Sequence, residues 1–344
     1  MDKLVLFNTT TLNELLNKRQ GESKFGEHIQ TLSSISDIYD QLLNLDVAYV
    51  IIGLPEDVGV YANYGKTGTS KAWEATLKIL LNIQSNEFTM AHKVLVLGHL
   101  DFSQELLKIS ELEESHPKSI KKAQKIVAKI DKHVAYIVQL IISAGKKPII
   151  IGGGQNNAYG NIKGTSLALK QPVNVINFDV QSDFRPEEGR HSGNGFSYAY
   201  AEGFLKNYYI FGLQRNYTSD KLFKTLKKLK LVKFSTFEDL EVNKKVKFKD
   251  ELAAALNHIA ERPFGVEIDC DAIENIPSSA MTPSGFSVNK ARNFVSYFSK
   301  QENVCYLHIC EARPSKKTET QIGKLITYLI SDFINETLDT ATIS

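Results

Sequence analysis

Residues 173–183 read Val-Asn-Val-Ile-Asn-Phe-Asp-Val-Gln-Ser-Asp, an apolar run that ends abruptly in carboxylates. A nearly continuous run of this length, rich in β-branched and aromatic residues, is the pattern of a strand buried on both faces. Working outward, the same pattern recurs at 47–53, 93–98, 147–152, 207–213, 231–235, 264–269 and 303–309. Helical patterns fill the gaps. The clearest spans about 118–144, where Ile120, Ala123, Ile126, Ile130, Val134, Ile137 and Ile141 recur at helical spacing between Pro117 and Gly145. Further helices are expected near 70–84, 248–261, 288–300 and 320–338. Strands alternating with helices predict an α/β fold: three layers, α-β-α, around a central, mainly parallel sheet of about eight strands. No Pro-, Gly- or Ser-rich linker interrupts the pattern. Residues 46–344 therefore read as a single α/β domain, with residues 1–45 as an N-terminal helical extension.

Composition narrows the function. The chain has 344 residues, 42% of them hydrophobic, which is ordinary globular material. Its 41 basic and 39 acidic residues leave a net charge of +2, too flat for a polybasic nucleic-acid binder. The lysine-rich stretches at 117–132 and 221–250 read as solvated faces. Three cysteines, Cys270, Cys305 and Cys310, lack paired spacing, which fits a reducing, cytoplasmic setting. The longest apolar stretch, 134–144, is shorter than the roughly 20 residues of a membrane span, so no membrane association is expected.

In parallel sheets, ligands bind beyond the carboxyl ends of the strands. The least ordinary residues sit there: Gly152-Gly153-Gly154-Gln155 after one strand, Asp179, Gln181 and Asp183 after another, Asp269 and Asp271 after a third, and His308 and Glu311 at the end of a fourth. Side chains alternate along extended chain, so Asp179, Gln181 and Asp183 share a face, as do Glu267, Asp269 and Asp271. A lone aspartate at a strand end usually caps its own turn. Four of them in two evenly spaced pairs point instead to a divalent cation. The triple glycine lacks the spacing of a phosphate cradle. Cys270 reads as core rather than nucleophile, Trp73 as packing a helix on the sheet, and the aromatics Tyr198, Tyr200, Tyr208, Tyr209 and Phe211 as core. Glu267 reads equally as a salt-bridge partner of a helix or as a further polar group of the site.

These segments together resemble the arginase/agmatinase/formimidoylglutamase (ureohydrolase) superfamily, whose GG[GD]H, D-A/P-H-x-D and S-x-D-x-D motifs stand here as Gly152–Gln155, Asp179–Asp183 and Glu267–Asp271. The stretches 52–75, 183–198, 280–285 and 306–311 look like the formimidoylglutamase branch, and the resemblance covers roughly 45–335 in the family's order. It implies an arginase-like fold and a pair of Mn2+ ions bridged by a hydroxide that attacks an amidine or guanidine carbon. Carried over by motif, one ion's ligands fall on Gln155, Asp179, Asp183 and Asp269, and the other's on Gln181, Asp179, Asp269 and Asp271. The resemblance also implies catalytic roles for Asp183 and Glu311. Glu311 would receive the cationic amidinium, Asn194 would contact a substrate carboxylate, and His191 would stand with it on the substrate-binding loop.

Both family histidines are glutamine here, at Gln155 and Gln181. An amide oxygen is a neutral, weak donor that suits harder ions than imidazole does. Phe196 stands where arginases carry a further histidine, a difference shared by formimidoylglutamases. The expectation is therefore a homologue with a degraded dinuclear site and impaired catalysis, working as a binding or assembly subunit beside an active paralogue. The alternatives are an active hydrolase that converts N-formimidoyl-glutamate to glutamate and formamide, or metal-free acid–base chemistry on the same scaffold. A small amidine, guanidine or amino acid is the expected ligand, and the resemblance implies a homotrimer or hexamer. The crowded carboxylates require a weakly held cation, shared protons, or Arg185, Arg190 or a lysine swinging in.

Overall fold

A computed structural model describes residues 2–335, so the end of the helix expected at 320–338 lies outside the described residues. The described strands are β1 (Leu4–Leu6), β2 (Tyr49–Gly53), β3 (Val94–Leu100), β4 (Lys147–Ile151), β5 (Val173–Phe178), β6 (Leu205–Leu213), β7 (Val232–Thr236), β8 (Phe264–Asp269) and β9 (Val304–Cys310). They form one sheet in the order β1-β3-β2-β4-β9-β8-β5-β6-β7. β1 runs antiparallel to β3, and the other pairings are parallel.

All eight strands expected from the apolar runs are present, within two residues at their ends. The ninth corrects the expectation for residues 1–45. That segment holds the helices Thr9–Leu15 and Ile38–Asn44, but it also adds β1 to the edge of the sheet. The approach depends on Gly98, whose φ is +132° and where a Cβ would stand 2.0 Å from the Val5 carbonyl oxygen. Only a residue without a side chain fits there.

Alternation along each strand feeds the two flanking layers. Ile51, Ile149, Ile151, Ile176, Phe178, Ile268 and Ile309 pack with the helices Ala72–Leu80, Val288–Ser299 and Glu319–Asn335 on one face. On the other, Val50, Ile52, Leu95, Ile150 and Tyr306 pack with the helix Pro117–Ser143, and Val175, Tyr208 and Ile210 with the helix Asn157–Leu169. Both faces are covered, which is why the strands read as continuous apolar runs. The long helix begins at Pro117, with His116 Nδ1 accepting from the Lys118 N–H, and ends before Gly145 at φ +74°. Its lysines, like those of the helix Asp220–Lys228, face solvent, as expected. Trp73 is buried against β2, where a Cβ on Gly53 would sit 2.3 Å from its ring. No described helix is long and apolar enough to cross a membrane.

Candidate metal centre

The four central strands, β4, β9, β8 and β5, deliver the site residues at their carboxyl ends. After β4 the chain turns through Gly152 (φ +90°) and Gly153 (φ +72°), and a Cβ on Gly153 would stand 2.4 Å from Asn157 Nδ2 and 2.9 Å from the Leu54 carbonyl oxygen. This turn drops Gln155, which is fully buried, among the carboxylates.

Asp179 and Asp269 are held alike. Asp179 Oδ1 accepts from the Gln181 N–H at 2.7 Å, and Asp269 Oδ1 accepts from the Asp271 N–H at 2.7 Å. Each therefore caps its own turn with one oxygen and turns Oδ2 towards Gln155. Asp183 completes the group at a φ of +43°, a left-handed conformation costly for a residue with a side chain. One ligand oxygen from each of Asp179, Asp183 and Asp269 lies within 4.8 Å of the other two. One end of the Gln155 amide stands 2.7 Å from Asp183 Oδ2, 2.8 Å from Asp269 Oδ2 and 3.0 Å from Asp179 Oδ2.

Of the other expected ligands, Asp271 lies close enough to raise the carboxyls of Asp179, Asp183 and Asp269 but is not part of their compact group, and Gln181 lines the neighbouring cleft. Asp271 is turned onto the following loop, accepting from the Ala280 N–H at 2.9 Å and from Ser279 Oγ at 3.1 Å. Gln181 is half-buried on the wall of a cleft of about 720 Å³, whose rim carries Asn63, Arg185, Glu188 and Tyr217. Asp183 opens onto the same cleft. Among the described residues, no imidazole joins the three-aspartate group.

Glu311, also left-handed at φ +60°, accepts from the Gln155 N–H at 2.7 Å through Oε1, while its buried Oε2 has no protein partner. Burial raises the carboxyls of Asp179, to about 7, and of Glu311, to about 8, and proximity to Asp271 adds to both. Burial, with the neighbouring carboxylates, likewise holds Asp183 and Asp269 well above the ordinary range, and burial raises Asp271. Neither arginine neutralises them. Arg185 pairs with Glu188 and donates to Asn63 Oδ1, and Arg190 pairs with Asp131.

Asn194 and His191, expected on the substrate side, are instead built into the loop's own framework. Asn194 is fully buried; its Oδ1 accepts from Arg190 Nη1 and the His191 N–H, and its Nδ2 donates to the Gly189 and Pro186 carbonyls. His191 Nδ1 accepts from the Gly193 N–H. The donors and acceptors of Asn194 are turned inward, while His191 Nε2 lies 3.4 Å from Oε1 of Glu188, which lines the cleft.

Several buried groups around the site carry no motif signal. Asn177, on β5, donates to Asp179 Oδ2 at 2.9 Å and to Tyr208 Oη at 3.0 Å. Glu56 accepts from Asn156 and Asn157 beneath the triple-glycine turn, and burial pushes it up to about 7. Glu267 pairs neither with a helix nor with the aspartates. Its Oε2 lies 2.5 Å from His308 Nδ1 and its Oε1 accepts from Tyr306 Oη at 2.9 Å, all fully buried one row beneath the site. Even spacing of polar residues within an apolar strand, as in Asn177–Asp179 and Glu267–Asp269, was the one available cue.

The sequence profile of the arginase family matches residues 47–334. A formimidoylglutamase of Streptococcus gordonii is 25% identical over 288 residues, covering 81% of this chain and 81% of that protein. The formimidoylglutamase of Bacillus subtilis superposes with a TM-score of 0.70 at 18% identity, covering 92% of this chain and 93% of that one. Trypanosoma cruzi formiminoglutamase, solved with Mn2+, superposes with a TM-score of 0.68 at 20% identity, covering 92% of this chain and 98% of that one. With that profile match running over residues 47–334, most of its length, the chain belongs to the arginase family.

Proposed function

We propose that this is a formimidoylglutamase-like member of the family whose dinuclear centre is reduced, leaving amidine hydrolysis impaired or silent. The observation that carries this reading is the amide of Gln155, in place of an imidazole, among Asp179, Asp183 and Asp269, with Asp271 turned onto its loop and Gln181 on the cleft wall. The first set of residues fits a divalent cation, being compact and rich in oxygen; the second supplies only neutral or diverted donors. A bound divalent cation would lower the pKa of water and supply hydroxide near neutral pH. The chain's own residues shape the space around that chemistry. Asp183 meets the cleft, Glu311 holds an unpartnered carboxylate oxygen behind the Gln155 backbone, and Arg185 and Glu188 charge the rim with both signs.

The second reading, an active hydrolase of N-formimidoyl-glutamate, is favoured by the names of the relatives and by the survival of every expected carboxylate. One assay separates the two. The purified chain is dialysed against Mn2+ and incubated with N-formimidoyl-glutamate, and formamide is measured. The proposed reading expects none, or no more than a small fraction of the rate of an active formimidoylglutamase assayed alongside, and formamide and glutamate release at a rate matching that enzyme overturns it.

A further inference from the structure

The polar network behind the site decides which end of the Gln155 amide faces the aspartates. Tyr208 Oη lies 2.8 Å from the Ser182 carbonyl oxygen, so its hydrogen is committed there. The Asn177 atom 3.0 Å from that hydroxyl must therefore be a donor, and the same atom lies 2.9 Å from Asp179 Oδ2, which again demands a donor. Nδ2 of Asn177 is thereby fixed, and Oδ1 points at Gln155. The Gln155 atom 2.8 Å from Asn177 Oδ1 must in turn be the amide nitrogen. The opposite orientation would set oxygen against oxygen at 2.8 Å and would ask one NH2 group, with two hydrogens, to serve three carboxylates.

We propose that Asn177 and Tyr208 are positioning residues that turn the Gln155 carbonyl oxygen towards Asp179, Asp183 and Asp269, so that the first ion position implied by the family becomes, in this chain, an all-oxygen site for one hard divalent cation. The carbonyl oxygen is fully buried, meets only acceptors, and lies 2.7, 2.8 and 3.0 Å from three carboxylate oxygens. Neighbouring oxygens around an octahedral ion with bonds of about 2.0–2.1 Å stand about 2.9 Å apart, which matches this spacing. An all-oxygen set suits Mn2+, Mg2+ or Ca2+ and gives Zn2+ no nitrogen or sulfur to favour it. The inference deepens the reduced-centre reading and rests on it, since one ion replaces a pair.

Titration calorimetry of the full-length chain with Mn2+, Mg2+, Ca2+ and Zn2+ tests it. The expected result is one divalent cation per chain, with Mg2+ and Ca2+ bound as well as Mn2+. Tyr208→Phe removes one of the two contacts that fix the Asn177 amide, the other being Asp179 Oδ2, and should weaken Mn2+ binding about 10-fold or more, the usual scale for groups that orient a ligand. Gln155→His in the same background should restore binding, because imidazole takes no orientation from Asn177; general damage to the fold would not be rescued. Where Tyr208→Phe does not fold, Gln155→Met, which removes the oxygen at similar volume, should show the same loss. Two ions or none in the wild-type chain, or unchanged Mn2+ affinity in these variants, overturns the proposal. Formamide release bears on the silent-hydrolase reading alone, so the two fail separately.

Discussion

Arg190 and Asp131 form a buried, two-pronged ion pair, Nε to Oδ2 at 2.9 Å and Nη2 to Oδ1 at 3.3 Å, that fastens the loop after β5 to the long helix Pro117–Ser143. The remaining guanidinium hydrogens go to the Asn156 and His191 carbonyls and to Asn194 Oδ1, so every N–H of Arg190 is engaged. Tyr159 and Tyr198 flank it, with ring centroids 4.9 and 5.0 Å away.

Asp131→Ala leaves this cation buried without its counter-charge. Such a removal costs about 3–5 kcal/mol. Urea denaturation should show a loss of that order, with faster proteolysis between residues 185 and 194. A loss below about 1 kcal/mol would show that water reaches the arginine.

His191 sets a pH dependence. Burial, reinforced by Arg185, lowers its imidazole from 6.5 to about 4. Between those values the unfolded chain binds the proton and the folded chain does not, so the contribution of His191 to folding stability falls as the pH drops from about 6.5 towards 4, against the opposite slope of the raised carboxyls of Asp179, Glu311 and Glu56. The full effect is on the order of 3 kcal/mol, at about 1.4 kcal/mol per pH unit of displacement. His191→Asn keeps an acceptor for the Gly193 N–H and should flatten this part of the stability profile. An equally steep profile in the variant would assign the slope to other groups.

Gly98→Ala should detach the edge strand. The new methyl would sit 2.0 Å from the Val5 carbonyl oxygen at a φ of +132°. Strain of about 1–3 kcal/mol is expected. Amide exchange at residues 4–6 should quicken while β4 and β5 stay protected, and unchanged exchange at β1 would refute the account.

Gln155→His with Gln181→His should raise Mn2+ stoichiometry from one ion per chain towards two and tighten binding at least about 10-fold, since imidazole is the stronger donor for Mn2+. Elemental analysis after dialysis reads this directly. A double variant that still holds at most one ion would place the loss of the second subsite in Asp271 and its loop rather than in Gln181.

The sheet was legible because its strands are buried on both faces and the code for that is a run of apolar residues. β1 escaped because three residues, Leu4–Leu6, make too short a run, and its pairing is decided by Gly98 far along the chain. The aspartates were legible by their even spacing at strand ends, and Cys270 as core is consistent with its complete burial and a thiol raised by it. Asn177 and Tyr208 were not legible as a unit. A buried asparagine and a buried tyrosine each look like core, and their joint meaning arises only when β5 and β6 align Asn177 beside Ile210 and bring Tyr208 next to it. Asn194 shows the reverse: its motif was plain, but the direction of its amide is set by Arg190, which no local pattern announces.

The strand order has a consequence for the birth of the molecule. β9, the last strand in chain order among the described residues, inserts between β4 and β8. Until it arrives, the nascent chain holds two half-sheets, β1-β3-β2-β4 and β8-β5-β6-β7, each with a naked parallel edge. Glu311 follows β9 directly, so the stroke that joins the halves also brings in the last carboxylate. Truncation between residues 270 and 303 would therefore leave two sticky fragments of a sheet in place of a smaller protein, and a chaperone that shields those edges during synthesis would act on the one step that makes the molecule whole.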